Sequence, residues 1–152
     1  MSLSDKSIPP LAARELRTDA EIESAFALTQ ELRTHLKREQ FLAQVRRQEA
    51  EGYVLIGGFA PELVVLAGIR FSCTLARGPH MFVDDLVTAS SVRGKGYGQA
   101  LLRWLATYAK AHGQTRIYLD SRDTALTFYK KIGFTCLTSV PCWIEADTLK
   151  QD

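Results

Sequence analysis

Apolar residues recur at helical spacing at Ile22, Phe26, Leu32 and Leu36, with Thr29 in the same series. They follow Thr18-Asp-Ala-Glu21, the spacing of a capping box, so a helix is expected to start near Thr18. A second helical stretch over Glu39–Glu51 puts Phe41, Leu42 and Val45 on one side, and Gly52 marks its stop. No strong breaker separates the two, so one bent helix and two helices are both open. The pattern then changes. Tyr53–Phe59 and Leu63–Phe71 flank Ala60-Pro61-Glu62 and read as a β-hairpin. Ala76–His80, with Gly78-Pro79, reads as a loop and Met81–Thr88 as a strand. Helical periodicity returns over Gly98–His112, where Tyr97, Leu101, Leu105 and Tyr108 share a face and Gly113 suits the C-terminal cap. Arg116–Asp120 is expected as a short strand, Thr124–Lys131 as a short helix and Phe134–Trp143 as a last strand. Phe128 and Phe134 are assigned to the core, and Trp104 and Trp143 to packing or an interface. This order of elements indicates an α/β or α+β domain with a mixed sheet.

Composition narrows the class without changing that picture. The 152 residues suit one domain (11–152) after a loose leader (1–10) that ends in Pro9-Pro10. Apolar residues make up 46% and charged ones 24%, as in ordinary globular proteins. A net charge of +2 gives little support to nucleic-acid binding, and no apolar run approaches the ~18–20 residues of a membrane span. The first residues lack the apolar core of a secretion signal, and Cys73, Cys136 and Cys142 form no CxxC pair. A reduced, cytoplasmic chain is expected. His35, His80 and His112 are scattered, and no cluster has metal-ligand spacing, so no metal is expected.

The chemistry concentrates in Arg93-Gly-Lys-Gly-Tyr-Gly98, between a strand and a helix. Glycines at alternate positions let backbone N–H groups approach an anion, and the helix start, Arg93 and Lys95 add positive charge. This is the composition of a pyrophosphate cradle. A Walker loop needs G-x-x-x-x-G-K-[ST], which is absent. A dinucleotide fingerprint needs G-x-G-x-x-G after the first strand, whereas Gly94-x-Gly96-x-Gly98 is one residue short and later in the chain.

The segment matches the R/Q-x-x-G-x-G/A signature of the GNAT superfamily of acetyl-CoA-dependent N-acetyltransferases. The resemblance extends upstream through Val83-Asp-Asp-Leu-Val87 and downstream through Ala125-x-x-x-Tyr129-x-x-x-Gly133-Phe134. It covers roughly residues 11–145 and is strongest over 81–134. It implies a mixed, mostly antiparallel central sheet flanked by helices, with splayed central strands forming the CoA cleft. It implies that the backbone of Arg93, Gly94, Lys95, Gly96, Tyr97 and Gly98 holds the CoA pyrophosphate. Leu86, Val87 and Thr88 would lie along the pantetheine arm, with an amide of Leu86 or Val87 stabilising the tetrahedral oxyanion. Tyr129 matches the family's general acid near the CoA sulfur. Asp84 matches an acid that acts through water as general base in diamine acetyltransferases; a carboxylate that anchors backbone N–H groups is the alternative. Two adjacent carboxylates in a strand are expected to face opposite sides of the sheet, and Asp85 is expected to be structural. Where the family commonly has a cofactor-contacting asparagine this chain has Arg122, a residue type that can also bind a CoA phosphate.

The implied activity is transfer of an acetyl group from acetyl-CoA to a primary amine by direct attack. The acceptor pocket would be built by the N-terminal helices, the segment around 72–80 and the last strands. Acids there, such as Glu31 or Glu145, would favour a cationic amine. A small-molecule amine is preferred as acceptor over a protein N-terminus or lysine. The rival is a CoA-binding regulatory domain without catalysis. No nucleic-acid or membrane partner is expected, and the resemblance allows a homodimer.

Overall fold

The computed structural model describes residues 7–149. They group into two compact units, one ending at Asp120 and one beginning at Ser121. Residues 1–6 of the expected leader lie outside the described residues, and residues 7–11 form neither helix nor strand.

The first unit is a five-stranded sheet in the order β1-β2-β3-β4-β5. Its strands are β1 (Ala12–Glu15), β2 (Tyr53–Phe59), β3 (Leu63–Thr74), β4 (Gly78–Thr88) and β5 (Ile117–Leu119). The first four pair antiparallel and β4–β5 is parallel. The expected hairpin is β2–β3. Strand β1 was not anticipated: four residues beside β2 are too few to show a period. Helices α1 (Asp19–Ser24), α2 (Phe26–Leu32) and α3 (Arg38–Glu49) replace the one or two helices expected. The capping box forms: Thr18 Oγ1 accepts from Glu21 N, and Glu21 Oε2 accepts from Thr18 N.

Leu16, Ile22, Phe26, Phe41, Leu55, Leu66 and Val87 form the core beneath these helices. Alternate sheet residues turn to the opposite face. There α4 (Tyr97–Ala111) packs on β3 and β4, burying Leu101 and Leu105. Gly113, just beyond α4, has φ +76°, the left-handed conformation expected of a C-terminal stop.

Two expectations about strands fail. Ala76–His80 is not a loop, because β4 already begins at Gly78. Gly78, at φ +65°, closes a tight turn after Thr74, with which it pairs, so the Gly-Pro dipeptide ends a hairpin rather than making a long connection. Phe134–Trp143 is not a strand either. Among the described residues its unit contains no other strand to pair with, Pro141 has no N–H to donate, and every residue from Thr135 to Leu149 is exposed.

The second unit consists of a short 3-10 turn (Asp123–Ala125), α5 (Leu126–Lys131) and the extended segment after it, with a further 3-10 turn at Ala146–Thr148. Phe128 is 38% exposed and so is not the core residue expected: a six-residue helix has too little surface to bury both faces. Trp143 is exposed. Among the described residues no helix is long and apolar enough to cross a membrane.

Candidate active site

The chain from β4 to α4 is built to present backbone donors. Thr88 ends β4, a 3-10 turn (Ser90–Val92) follows, and α4 starts at Tyr97. Glu31 Oε1 accepts from Ser90 N at 3.2 Å and so anchors this turn. Arg93 Nε donates to the Thr88 carbonyl at 3.2 Å, folding its side chain back toward the strand end. Gly94 and Gly96 have φ +80° and +93°, in the left-handed region that disfavours a Cβ. A Cβ on Gly96 would also lie 2.9 Å from Pro9 Cδ. Gly96 is the N-terminal cap of α4, and no side chain caps that end. The first intrahelical bond runs from Ala100 N to Gly96 O, so the first-turn N–H groups are left for an external acceptor. A narrow left-handed turn feeding an uncapped helix N-terminus, with Arg93 and Lys95 exposed beside it, fits the diphosphate of a CoA molecule.

Leu86, Val87 and Thr88 lie on an opened strand edge. β4 pairs with β5 only at Met81, Val83 and the Phe82 between them. From Asp84 to Thr88 no described strand pairs with that edge, so its backbone groups face outward.

The strand opens at a bulge. Ile69 pairs with Val83 and Gly68 with Asp85, which makes Asp84 the extra residue. The expectation that Asp84 and Asp85 face opposite sides is overturned here, because an inserted residue breaks the two-residue alternation. Arg70 donates to both Asp84 oxygens, at 2.6 and 2.8 Å. Asp85 accepts from Tyr53 Oη at 2.7 Å and from Arg33 Nε at 2.8 Å. Tyr53 and Arg70 are directly opposed on β2 and β3, so both carboxylates lie on the face covered by α1–α3. The bond to Asp84 raises the pKa of Arg70 further.

Tyr53 reaches Asp85 by crossing β3 at a residue that must lack a side chain. A Cβ on Gly68 would sit 1.8 Å from Tyr53 Oη. Burial, with the Asp85 charge and the hydrogen bond to it, holds the Tyr53 phenol far above the ordinary phenol range. The Arg33 guanidinium completes the group, its Nη2 donating to the Asp84 carbonyl at 2.9 Å. Arg33, Tyr53 and Asp85 line a cavity of about 150 Å³ with the apolar side chains of Leu36, Phe41 and Val45.

Arg33 and Tyr53 escaped sequence reasoning. An arginine at a helix end carries no spacing signal, and Tyr53 reads only as the start of a strand. Gly68, isolated within a strand, is the one legible sign of a close approach.

His80 is 2% exposed, its Nδ1 lies 2.8 Å from the Gly78 carbonyl, and its ring meets Tyr118 edge-on. It is a packed residue. In the second unit, Tyr129 lies edge-on to Phe128 and Phe134, with centroids at 5.1 and 5.4 Å, and burial raises its pKa. Arg122 precedes the 3-10 turn, its carbonyl accepting from Ser121 Oγ at 2.8 Å.

The pattern of the acetyltransferase (GNAT) family matches residues 12–134. An uncharacterised N-acetyltransferase of Bacillus subtilis (strain 168), YhdJ, is 30% identical over 128 residues, 80% of this chain and 90% of that protein. Among solved structures, a Trypanosoma brucei acetyltransferase is 25% identical with a TM-score of 0.70, over 90% of this chain and all of that one. An aminoglycoside N-acetyltransferase AAC(6')-Iy, solved with CoA, shares the fold with a TM-score of 0.76 at 14% identity, over 90% of this chain and 95% of that one. This family uses acetyl-CoA as its acetyl donor. With the cradle, the opened β4 edge and a match across most of its length, this chain belongs to the GNAT acetyltransferase family.

Proposed function

We propose that this chain acetylates the primary amine of a small molecule. The observation that carries the reading is that one strand, β4, joins the two halves of such a site. Its C-terminal end leads into the Gly94–Gly96 turn, and just past its bulge it contributes Asp85 to the lining of a partly open cavity. A cavity of about 150 Å³ suits a compact molecule better than a folded protein surface.

When bound, acetyl-CoA supplies an activated thioester. The backbone N–H groups from Arg93 to Gly98 hold its diphosphate, and the open edge of Leu86, Val87 and Thr88 pairs with its arm. An N–H of Leu86 or Val87 stabilises the charge that develops on the carbonyl oxygen. The acceptor nitrogen forms the C–N bond as the C–S bond breaks. An ammonium loses two protons in all, one to water before attack and one transferred to the departing thiolate. Tyr129 donates its phenol proton to the thiolate and is reprotonated by that second proton, and the burial that raises its pKa keeps the phenol protonated until then. Arg122 is proposed to contact a CoA phosphate. Asp84 is bound by Arg70 through both oxygens, an ion pair rather than an anchor of backbone N–H groups, and this favours a structural role over that of a base acting through water.

Thiol release measured with acetyl-CoA across a panel of small amines and peptides tests this. Amine-dependent release is expected. Tyr129→Phe should lower kcat about 100-fold with acetyl-CoA affinity within twofold of the parent. Acetyl-CoA binding with no release under any acceptor would make the chain a CoA-binding domain without catalysis. Release with peptides alone would overturn the small-molecule acceptor.

A further inference from the structure

The cavity floor carries information about what the acceptor bears beside its amine. Among the described residues Asp85 is the one carboxylate that lines it, and that carboxylate already faces one cation, Arg33, at 2.8 Å. The Asp85 side chain is 13% exposed and that of Arg33 38%, so water screens an added charge only in part. An alkylammonium or a polyamine entering here would place net positive charge beside Arg33 with no anion left to match it. An amine with an anionic group next to it adds no net charge. Its nitrogen can face Asp85 while its anion faces Arg33. The ammonium and carboxylate of an α-amino acid are separated by a single carbon, a spacing as close as that of the Arg33–Asp85 pair.

The remaining walls fit the rest of such a molecule. Leu36, Phe41 and Val45 provide an apolar surface, and Gln44 and Gln48 are amides one helical turn apart on α3. A volume of about 150 Å³ is that of a cavity able to hold a benzene ring, enough for an amino-acid side chain. Asp85 directly follows the bulge residue at which the outer edge of β4 becomes unpaired. Given the acetyl-transfer reading above, on which this rests, we propose that the acceptor is a free α-amino acid, held by Arg33 at its carboxylate and by Asp85 at its amine. Tyr53 and Gly68 act as positioning residues, because Tyr53 reaches Asp85 only across the bare Gly68 backbone.

The unaltered protein provides the test. Initial rates are measured with saturating acetyl-CoA and three series of acceptors: L-amino acids, their carboxamides, and the amines left when the carboxylate is removed. Leucine, leucinamide and 3-methylbutylamine form one such set, and phenylalanine, phenylalaninamide and 2-phenylethylamine another. At least a tenfold higher kcat/KM for the best amino acid than for its two charge-lacking partners is expected. Arg33→Gln should erase that preference mainly by raising KM for the amino acid. Equal or faster acetylation of the amines or carboxamides overturns the inference and leaves the acetyl-transfer reading standing. Acetyl-CoA binding with no acceptor used in any series overturns the amino-acid inference; release with other amines of the wider panel then leaves the acetyl-transfer reading standing, and none there overturns both.

Discussion

Single side chains in this protein have roles that their own chemistry explains. Glu21 accepts from the Thr18 and Arg17 backbone N–H groups and from Arg14, and the first of these contributes most to holding its pKa at about 2, against a usual 4.5. A depressed carboxylate pKa stabilises the folded state above about pH 4.5, and the contribution is lost as pH falls through about 2. Glu21→Gln should therefore flatten the dependence of urea-unfolding stability on pH across that window, which a titration of the denaturation midpoint would reveal. Thr18→Ala should cost about 1 kcal/mol at neutral pH, read from the same unfolding curves. Gly68→Ala should cost more, about 1–3 kcal/mol, because a Cβ 1.8 Å from Tyr53 Oη forces the ring out of place. The capping box was legible in four letters, whereas the Tyr53–Asp85 bond was not. It joins residues 32 positions apart and exists only in the folded sheet.

At the scale of elements, β4 and the turn after it carry the proposed function. The turn depends on left-handed backbone at Gly94 and Gly96 rather than on the exposed charges of Arg93 and Lys95. Gly96→Ala should lower acetyl-CoA affinity at least tenfold by calorimetric titration, since it strains the cap of α4 and meets Pro9. Gly113→Ala is the matched control. It also replaces a left-handed glycine, at φ +76° with open space around it, but at the opposite end of α4. It should lower stability and leave acetyl-CoA affinity unchanged.

The cradle could be read from sequence because its glycine spacing is local. The bulge could not, because one extra residue in a ladder leaves no trace in a short apolar strand, and it alone moved Asp84 to the face of Asp85. The last expected strand failed for a related reason. Alternation describes a face but cannot supply a partner strand.

For the whole molecule, fold class and donor follow from features that are local in sequence: the hairpin, the cradle and the short second-unit helix that carries Tyr129. The proposed acceptor site rests on Arg33, Tyr53 and Asp85, which the fold brings together from the end of α2, the start of β2 and the middle of β4. Donor identity is thus a property of the chain's motifs, and acceptor identity a property of its packing. The central claim joins the two: the acetyl group carried on CoA ends on the nitrogen of a small molecule. Quantifying free CoA and N-acetylated product in the same reaction by mass spectrometry tests it most directly. The two are expected to accumulate in a 1:1 ratio, and neither should form without amine; CoA released with no acetylated amine, or at the same rate without acceptor, would refute transfer to a small molecule.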